Sequence, residues 1–485
     1  MSRLFFIAGC LFGACFPLHA QDNHYEAMQL GSKNAILSGA SLSRWVDQTA
    51  VVHNAATMMN AGEPGITINA TTGGHEQIHY KDDGGNESNI DINDTQVYLG
   101  LIAADVPVFK NPEKNRLGVA IFARVADRTR YTNRVNRMEN IINEVDMPGV
   151  ETYIGQYSLE TEVKETTCAL GWATRLSDHW SAGLVAAVLI RNQRHRENFN
   201  ANVLADATQN PVVDLVSSFS DINMKLNFVM LQTKGSLAWQ NGPWNLGVVL
   251  SAPTLSVWTG GDMVAQQELT NFESAAGGER SNYLVSAYLQ ERKPVFKYPF
   301  SFGVGVSRQL DAVVLSASGT YHGKIERYIM VDPADEPFLQ PVAAENRLYT
   351  PGFLDVWSSN RPVVNSAVSA AWMLSPKISL MGGFRTDLHY AEDKHPLPEG
   401  FQLAKKLWNR YHFNAGAALS GQRARLVFGV QYSLGQVDGF QQRYTLNSPA
   451  EENLLKGMPS AGSIRANGIT AVVSLLFFMN QVALD

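Results

Sequence analysis

Hydrophobic and polar residues alternate along most of this chain with a period of two, which is the period of a β-strand. From Trp244 to Ala252 every second residue is apolar, and the residues between them are mostly small or polar. The same pattern recurs in the segments that start at Phe300, Tyr411 and Leu426. Successive side chains of a strand point to opposite faces, so each segment has one apolar and one polar face.

Three further features favour membrane-spanning strands over a soluble β-sandwich. The segments reach about ten residues, which a tilted strand needs to cross a bilayer. Short turns alternate with long connections, as they do at the two ends of a membrane barrel. Aromatic residues gather near the ends of the apolar stripes, where they would form girdles at the membrane surfaces. These aromatic residues are Trp180, Trp244, Trp258, Phe300, Tyr321, Trp372, Phe384, Tyr390 and Tyr411.

We therefore predict an all-β fold, a transmembrane antiparallel β-barrel of about 14 strands with both chain ends on the periplasmic side. The predicted strands lie near residues 66–73, 94–104, 116–126, 160–176, 179–192, 221–239, 244–258, 296–309, 312–328, 363–374, 377–390, 410–420, 424–436 and 467–478. Broken alternation from Phe228 to Leu231 predicts a β-bulge. Residues 282–292 are expected to extend the eighth strand or to form a separate pair.

The chain begins with a predicted export signal. Arg3 precedes an apolar run from Leu4 to Phe16, which is too short for a membrane-spanning helix. Cleavage after Ala20 would give a signal peptide (1–20), an N-terminal segment (21–63) and the barrel (64–485). A lipidated start at Cys10 is the less favoured alternative, because the apolar run before it is very short.

Composition and charge narrow the range of functions. A mean hydropathy of −0.13 agrees with a barrel in which only alternate residues face lipid. The net charge of −6 gives no basic footprint for nucleic acid. Beyond the signal only Cys168 remains, which excludes an intramolecular disulfide and thiolate metal sites. The chain has no Gly-x-Ser-x-Gly, His-Glu-x-x-His or phosphate-loop motif, so we predict no enzyme activity, no metal and no cofactor.

Residues 21–63 carry the most specific pattern in the sequence. They contain Gly39-Ala40-Ser41, then Asp47 with Ala50, then Asn54-Ala55-Ala56. These runs resemble the N-terminal hatch of the long-chain fatty acid transporter family, the FadL-type outer-membrane channels. That family has Gly-Ala-Ser, Asp-x-x-Ala and Asn-Pro-Ala before its first strand, and here Ala55 replaces the proline. The strand number and the size match the family along essentially the whole mature chain.

The resemblance implies a bacterial outer-membrane channel, surrounded by outer-membrane lipids, with a small hatch inside its lumen. It implies uptake of a hydrophobic small molecule, a long-chain fatty acid or a similar lipid or hydrocarbon. Such a molecule would pass the hatch and leave sideways through a gap in the wall. The alternative function is a non-transporting barrel that acts as a surface scaffold or secretion partner. A monomer is favoured, and the oligomeric state stays open.

Gly39, Asp47 and Asn54 are the candidate hatch and gating residues. As polar residues, Asp47 and Asn54 would anchor the hatch to the lumen wall. Their alternative role is structural, because Asp and Asn are favoured in turns and helix caps in any protein.

Five residues on the lumen face are candidate ligand or lumen contacts. The planar guanidinium groups of Arg124, Arg385 and Arg425 are suited to binding a carboxylate. Phe122 and Met381 would line an apolar path. The alternatives are that these arginines pair with lumen acids and that the apolar residues pack against the hatch. The acids Glu160, Glu162 and Glu165 are expected to face water above the membrane.

Overall fold

The computed structural model describes most of the chain. The described residues are 24–26, 29–31, 33–61, 64–82, 90–106, 108–142, 149–205, 215–273, 280–333, 335–340, 349–351, 353–392, 401–402, 407–442, 444–458 and 460–478. The predicted export signal, residues 1–20, lies outside them.

Strands make up nearly all of the regular structure. They are β1 (Gly65–Asp82), β2 (Ile90–Val106), β3 (Asn115–Glu139), β4 (Glu151–Arg175), β5 (Trp180–Leu204), β6 (Leu215–Asn241), β7 (Trp244–Ser251), β8 (Leu255–Glu273), β9 (Arg280–Arg292), β10 (Ser301–Leu310), β11 (Val313–His322), β12 (Ile325–Val331), β13 (Val356–Asn360), β14 (Val363–Ser375), β15 (Ile378–Asp387), β16 (Phe401–Gln402), β17 (Asn409–Ser420), β18 (Ala424–Gln442) and β19 (Ser460–Phe478). Short helices occupy Lys33–Ile36 and Ala50–His53, and 3₁₀ helices occupy Ala55–Asn60 and Glu451–Asn453.

The strands form one closed antiparallel barrel. Each barrel strand pairs with its neighbours in sequence, and β1 pairs with β19 to join the two ends of the chain. β7 and β8 together make the seventh strand, since β6 pairs with both, and β9 and β10 together make the eighth. The count is therefore 14, as predicted, while β12, β13 and β16 form a separate small sheet.

The outer wall is apolar where the alternation predicted it. On β5 the outward side chains Leu184, Val188 and Ile190 are exposed, and the intervening residues are buried. Seven of the nine predicted girdle aromatics are exposed. Tyr390 is not one of them, because it is buried and stacks on Tyr25 inside the barrel with 4.3 Å between ring centroids.

Several strands are longer than the sequence predicted. Much of the predicted connection 127–159 belongs to β3 and β4, which pair continuously from Asp127↔Val163 to Glu139↔Glu151. The predicted strand 312–328 is instead β11 and β12, and β12 leaves the barrel to pair with β13. The predicted bulge on β6 was wrong, because β6 pairs with β5 in unbroken register through Phe228–Leu231. The register shift beside it, between Val229 and Met230, comes from an extra residue, Val257, on the partner strand β8. Residues 280–292 extend the eighth strand, as one of the two alternatives proposed.

The two faces of the wall exchange their polarity partway along the strands. On β5 the outward residues change from Ile190 to Arg194 and Arg196, whereas the inward residues change from Arg191 to Phe199 and Val203. Phe199 and Val203 belong to a large buried apolar cluster at the long-loop end. The half of the barrel at the short-turn end is thus apolar outside, and the half at the long-loop end is apolar inside.

Candidate functional site

The N-terminal segment, residues 29–61, is organised around one buried carboxylate. The carboxylate of Asp47 accepts hydrogen bonds from the backbone N–H groups of Lys33 at 3.0 Å, Asn34 at 3.3 Å and Thr49 at 3.0 Å. It also accepts one from the Thr49 hydroxyl. Because the helix Lys33–Ile36 begins at these N–H groups, Asp47 satisfies donors that have no partner within the helix.

Asn54 connects the segment to itself and to the wall. Its side-chain oxygen accepts from the Ala56 N–H at 3.1 Å, and its side-chain nitrogen donates to the Leu42 carbonyl at 2.6 Å. The same nitrogen lies 3.4 Å from the carbonyl oxygen of Leu237 on β6. Gly39 has a φ of +79°, a conformation that favours glycine. Asp47 and Asn54 thus occupy the cap and turn positions of the structural alternative, and Asn54 also contacts the wall.

The backbone of the segment touches the lumen wall directly. Ala56 accepts a hydrogen bond from the Ser181 hydroxyl at 2.8 Å, and its N–H donates to Ser236 at 3.2 Å. A Cβ added at Gly247 would overlap the Leu42 carbonyl and lie 2.8 Å from the Ser43 Cα. The segment therefore lies inside the barrel, and at Gly247 it comes so close to the wall that there is no room for a side chain.

A cavity of about 250 Å³ lies on the long-loop side of this segment. Its apolar walls include Phe122, Leu189, Val249 and the segment residues Leu30 and Leu42. Its polar walls include Arg124, Glu165, Lys234, His53 and Tyr298. The Lys234 ammonium donates to the Val52 carbonyl at 3.1 Å. Burial, followed by the charge of Lys234, lowers the pKa of His53 to about 4.

An ion cluster closes one side of this cavity. The Glu165 carboxylate accepts hydrogen bonds from Arg124 and Arg191, with a closest nitrogen–oxygen distance of 2.6 Å in each pair. The Tyr298 hydroxyl donates to the same carboxylate at 2.5 Å. The prediction that Glu165 faces water was wrong, because it lies on the inward face of β4 and is 2% exposed. Glu160 and Glu162 are on the outward face.

A second cavity, of about 300 Å³, lies on the other side of the segment. It is bounded by Gln309, Ala312, Ser375 and Ser420, at or next to the short turns. Lys33, Leu37 and Trp45 supply the segment's side of it. Burial, together with the charges of Arg425 and Arg44, lowers the pKa of Lys33 to about 7. The N-terminal segment thus separates a mid-lumen cavity from one at the short-turn mouth.

The predicted lumen contacts divide between these places. Phe122 and Arg124 line the mid-lumen cavity, and Met381 and Arg425 line the mouth cavity. Arg385 is completely buried, donates to the Glu26 carbonyl and to Gln431 at 3.0 Å, and holds the chain near its start.

Lys234 and His53 were missed by the sequence analysis. Lys234 had a usable signal, because the apolar stripe of Leu231 and Leu237 on β6 places it on the lumen face. His53 had none, because residues 21–63 show little strand alternation.

The wall beside the mid-lumen cavity is interrupted. Within the described residues, β2 and β3 pair only from Leu101↔Phe122 to Val106↔Leu117. Past this point in the described residues, β2 is paired only with β1, and β3 is paired only with β4. β3 also has a bulge between Val125 and Asp127. Unpaired backbone is tolerated at membrane depth only where it lines a cavity or is covered by protein.

Two searches of the described residues gave negative results. No group of three or more His, Cys, Asp or Glu side chains there has the arrangement to hold a metal ion. No helix in this part of the chain is long and apolar enough to cross a membrane.

Comparisons with solved structures identify the architecture. The match to the crystal structure of a Pseudomonas aeruginosa FadL homologue covers 95% of this chain and 100% of the homologue, with a TM-score of 0.55 and 12% identity. The match to the P. putida toluene transporter TodX covers 94% of this chain and 100% of TodX, with a TM-score of 0.56 and 12% identity. The match to the Ralstonia pickettii toluene transporter TbuX covers 94% of this chain and 100% of TbuX, with a TM-score of 0.50 and 15% identity.

Sequence comparison adds no closer relative. No protein-family model and no curated protein matches the chain. The resemblance to this family is therefore supported by the fold and not by overall sequence similarity. The chain has the fold of the FadL-type outer-membrane channels, a 14-stranded membrane β-barrel.

Proposed function

We propose that this protein is an outer-membrane uptake channel for a hydrophobic small molecule and that residues 21–63 act as its hatch. The observation that carries the proposal is the pair of cavities, about 250 and 300 Å³, on either side of the segment. A molecule held in the first cavity reaches the short-turn mouth only if the segment moves. The names of the similar solved structures, a FadL homologue and two toluene transporters, support the same class of ligand.

The walls of the mid-lumen cavity favour a ligand with one acidic end. Lys234 brings positive charge to the site, and Arg124 and Arg191 share the single carboxylate of Glu165, so that cluster is also net positive. The other walls include Phe122, Leu189 and Val249, with Glu26 as a second acid. A carboxylate forms stronger hydrogen bonds with ammonium and guanidinium groups than a neutral group does. A long-chain fatty acid or a similar amphiphile fits this lining better than a pure hydrocarbon, which would leave Lys234 next to an apolar surface.

The exit follows from the interrupted wall. Phe122 and Arg124 line the cavity and lie where the pairing of β2 and β3 ends. A hydrophobic molecule that leaves there enters lipid directly and avoids water, which is the favourable route for apolar surface. In this scheme the hatch blocks the axial route to the short-turn mouth, so the ligand leaves through the wall, and Gly39, Asp47 and Asn54 keep the hatch in this closed position.

The test is a binding titration of palmitate and of toluene to the purified full-length barrel. Replacing Lys234 by glutamine should weaken palmitate binding by roughly tenfold to a hundredfold, the value of one charge-assisted hydrogen bond, and should leave toluene unaffected. Lys377→Gln is the matched control, because Lys377 is exposed at a short turn. Equal palmitate affinity in both variants would remove the acidic-ligand proposal.

A surface scaffold stays the alternative, and the same titration separates the two. A folded barrel that binds neither palmitate nor toluene, and whose expression does not speed uptake of either into cells, would favour the scaffold.

A further inference from the structure

The outer face of the barrel carries a band of charge directly above its apolar belt. On β5 the outward positions from Trp180 to Ile190 are apolar, and Asn192, Arg194 and Arg196 follow. From Ile190 to Arg194 the chain climbs about 13 Å along the strand, or about 10 Å in height for a strand tilted near 40°. The headgroup layer extends roughly 5–8 Å beyond the hydrocarbon. The backbone of Arg194 therefore lies about 2–5 Å beyond that layer, and its long side chain can reach back into it.

The strand register places one charged residue from each of four neighbouring strands side by side, and three of the four are basic. Arg194 on β5 lies opposite Lys225 on β6 and, on its other side, opposite Glu162 on β4. Glu162 in turn lies opposite Arg128 on β3. The band has six exposed basic side chains, Arg128, Arg130, Lys164, Arg194, Arg196 and Lys225, and three acidic ones, Glu160, Glu162 and Asp262.

The arrangement leaves positive charge uncompensated at one point. Like charges directly opposite each other in a sheet are destabilising, and Arg194 and Lys225 are such a pair. On the β4 side, Glu162 is already paired with Lys164 at 2.8 Å. On the β8 side, Asp262 lies opposite Lys225 and accepts a hydrogen bond from the Glu291 backbone N–H at 3.2 Å. Neither Arg194 nor Lys225 forms an ion pair within the described part of the chain. An anion between the two side chains would relieve the repulsion.

We propose that Arg194 and Lys225, with Lys164 and Arg196 beside them, bind the phosphate of a lipid headgroup in the outer leaflet. Arginine binds phosphate through two parallel hydrogen bonds, and lysine adds a point charge. The position favours a lipid over free phosphate, because the acyl chains of a bound lipid would lie along Val188, Ile190 and Leu231, which are exposed on the belt below.

The experiment measures how many lipids stay bound to the detergent-purified full-length protein by native mass spectrometry. The probes are phosphatidic acid and diacylglycerol with identical acyl chains, and inorganic phosphate is the competitor. The test variant is R194Q/K225Q, and the control is R423Q/K377Q, which removes the same charge from exposed positions at the short-turn end.

We expect the test variant to bind phosphatidic acid about 30-fold more weakly, since each basic residue near an anionic lipid surface contributes about fivefold. The control variant should bind like the wild type, and diacylglycerol should bind weakly to all three. Equal weakening in the two variants would show a non-specific charge effect and overturn the proposal. So would displacement of the lipid by inorganic phosphate at concentrations similar to the lipid's own.

Discussion

Replacing Gly247 by alanine adds one methyl group to the wall at the point where the N-terminal segment comes closest. The new Cβ would lie 2.7 Å from the Leu42 carbonyl carbon and 2.8 Å from the Ser43 Cα. Comfortable carbon contacts are about 3.5–4.0 Å, so one of the two backbones must move by about 1 Å. Neither atom belongs to a side chain that can rotate away, and β7 is held on both edges by β6 and β10. The segment is therefore the part that moves.

The cost of such overpacking is about 1–3 kcal/mol, and it acts on the docking of the segment and not on the barrel. Limited proteolysis of the folded protein measures this directly as cleavage within residues 29–61. We expect cleavage to be faster by roughly fivefold to a hundredfold. Gly235→Ala is the matched control, because a Cβ at Gly235, on the neighbouring strand β6, meets no atom within 4 Å. Equal cleavage of the two variants would refute the docked position of the segment.

Three further predictions concern buried polar groups. Asp47→Ala should release the segment at a cost above about 3 kcal/mol, since four donors lose a charged acceptor, and proteolysis of the segment would report it. Glu165→Gln should lower the free energy of unfolding by about 3–5 kcal/mol, seen as a lower thermal midpoint, because Arg191 stays buried without its carboxylate. Lowering the pH from 6.5 to 4 should progressively loosen the segment, because free His53 takes up a proton near 6.5 and the docked residue, with its pKa at about 4, does so only later.

Each of these has its own control. Asp47→Asn keeps one acceptor oxygen and should fall between wild type and alanine. Glu160→Gln changes the same charge on the outward face of β4 and should shift stability by less than about 0.5 kcal/mol. His53→Gln cannot take up the proton, so proteolysis of this variant should lack the His53-dependent increase between pH 6.5 and pH 4. A wild-type protein equally protected at pH 7 and pH 4 would contradict the assignment to His53.

The sequence predicted the number of barrel strands because lipid imposes a strict rule on the outer wall. An outward position such as Leu184 or Ile190 must be apolar, and this requirement repeats at every second residue of every strand. The rule ends at the membrane surface. Beyond it the outward residues, for example Arg194 and Asn200, are as polar as those of a loop. The upper parts of β3, β4 and β5 were therefore predicted as connections.

The candidate site was predictable only in part, because it depends on residues far apart in the chain. Arg124 was recognisable as a lumen residue, but its partners are far from it in sequence. Glu165 lies directly opposite it on the next strand, β4, and Tyr298 lies between β9 and β10, so no local pattern connects the three. Glu165 in particular lies in a run of acids whose other members face outward. Asp47 was found through a resemblance, with a helix cap as its alternative role, and only the structure shows that the helix it caps is Lys33–Ile36.

The exchange of polarity between the two faces of the wall means that one sheet is stable in two different solvents. The half at the short-turn end is held by lipid around an apolar exterior, and the half at the long-loop end is held, like a water-soluble protein, by apolar packing around Phe199 and Val203. Urea acts in water and weakens the second kind of packing far more than the first. The molecule should therefore unfold in urea in two stages, with the long-loop half first, and each stage would have its own free energy of unfolding.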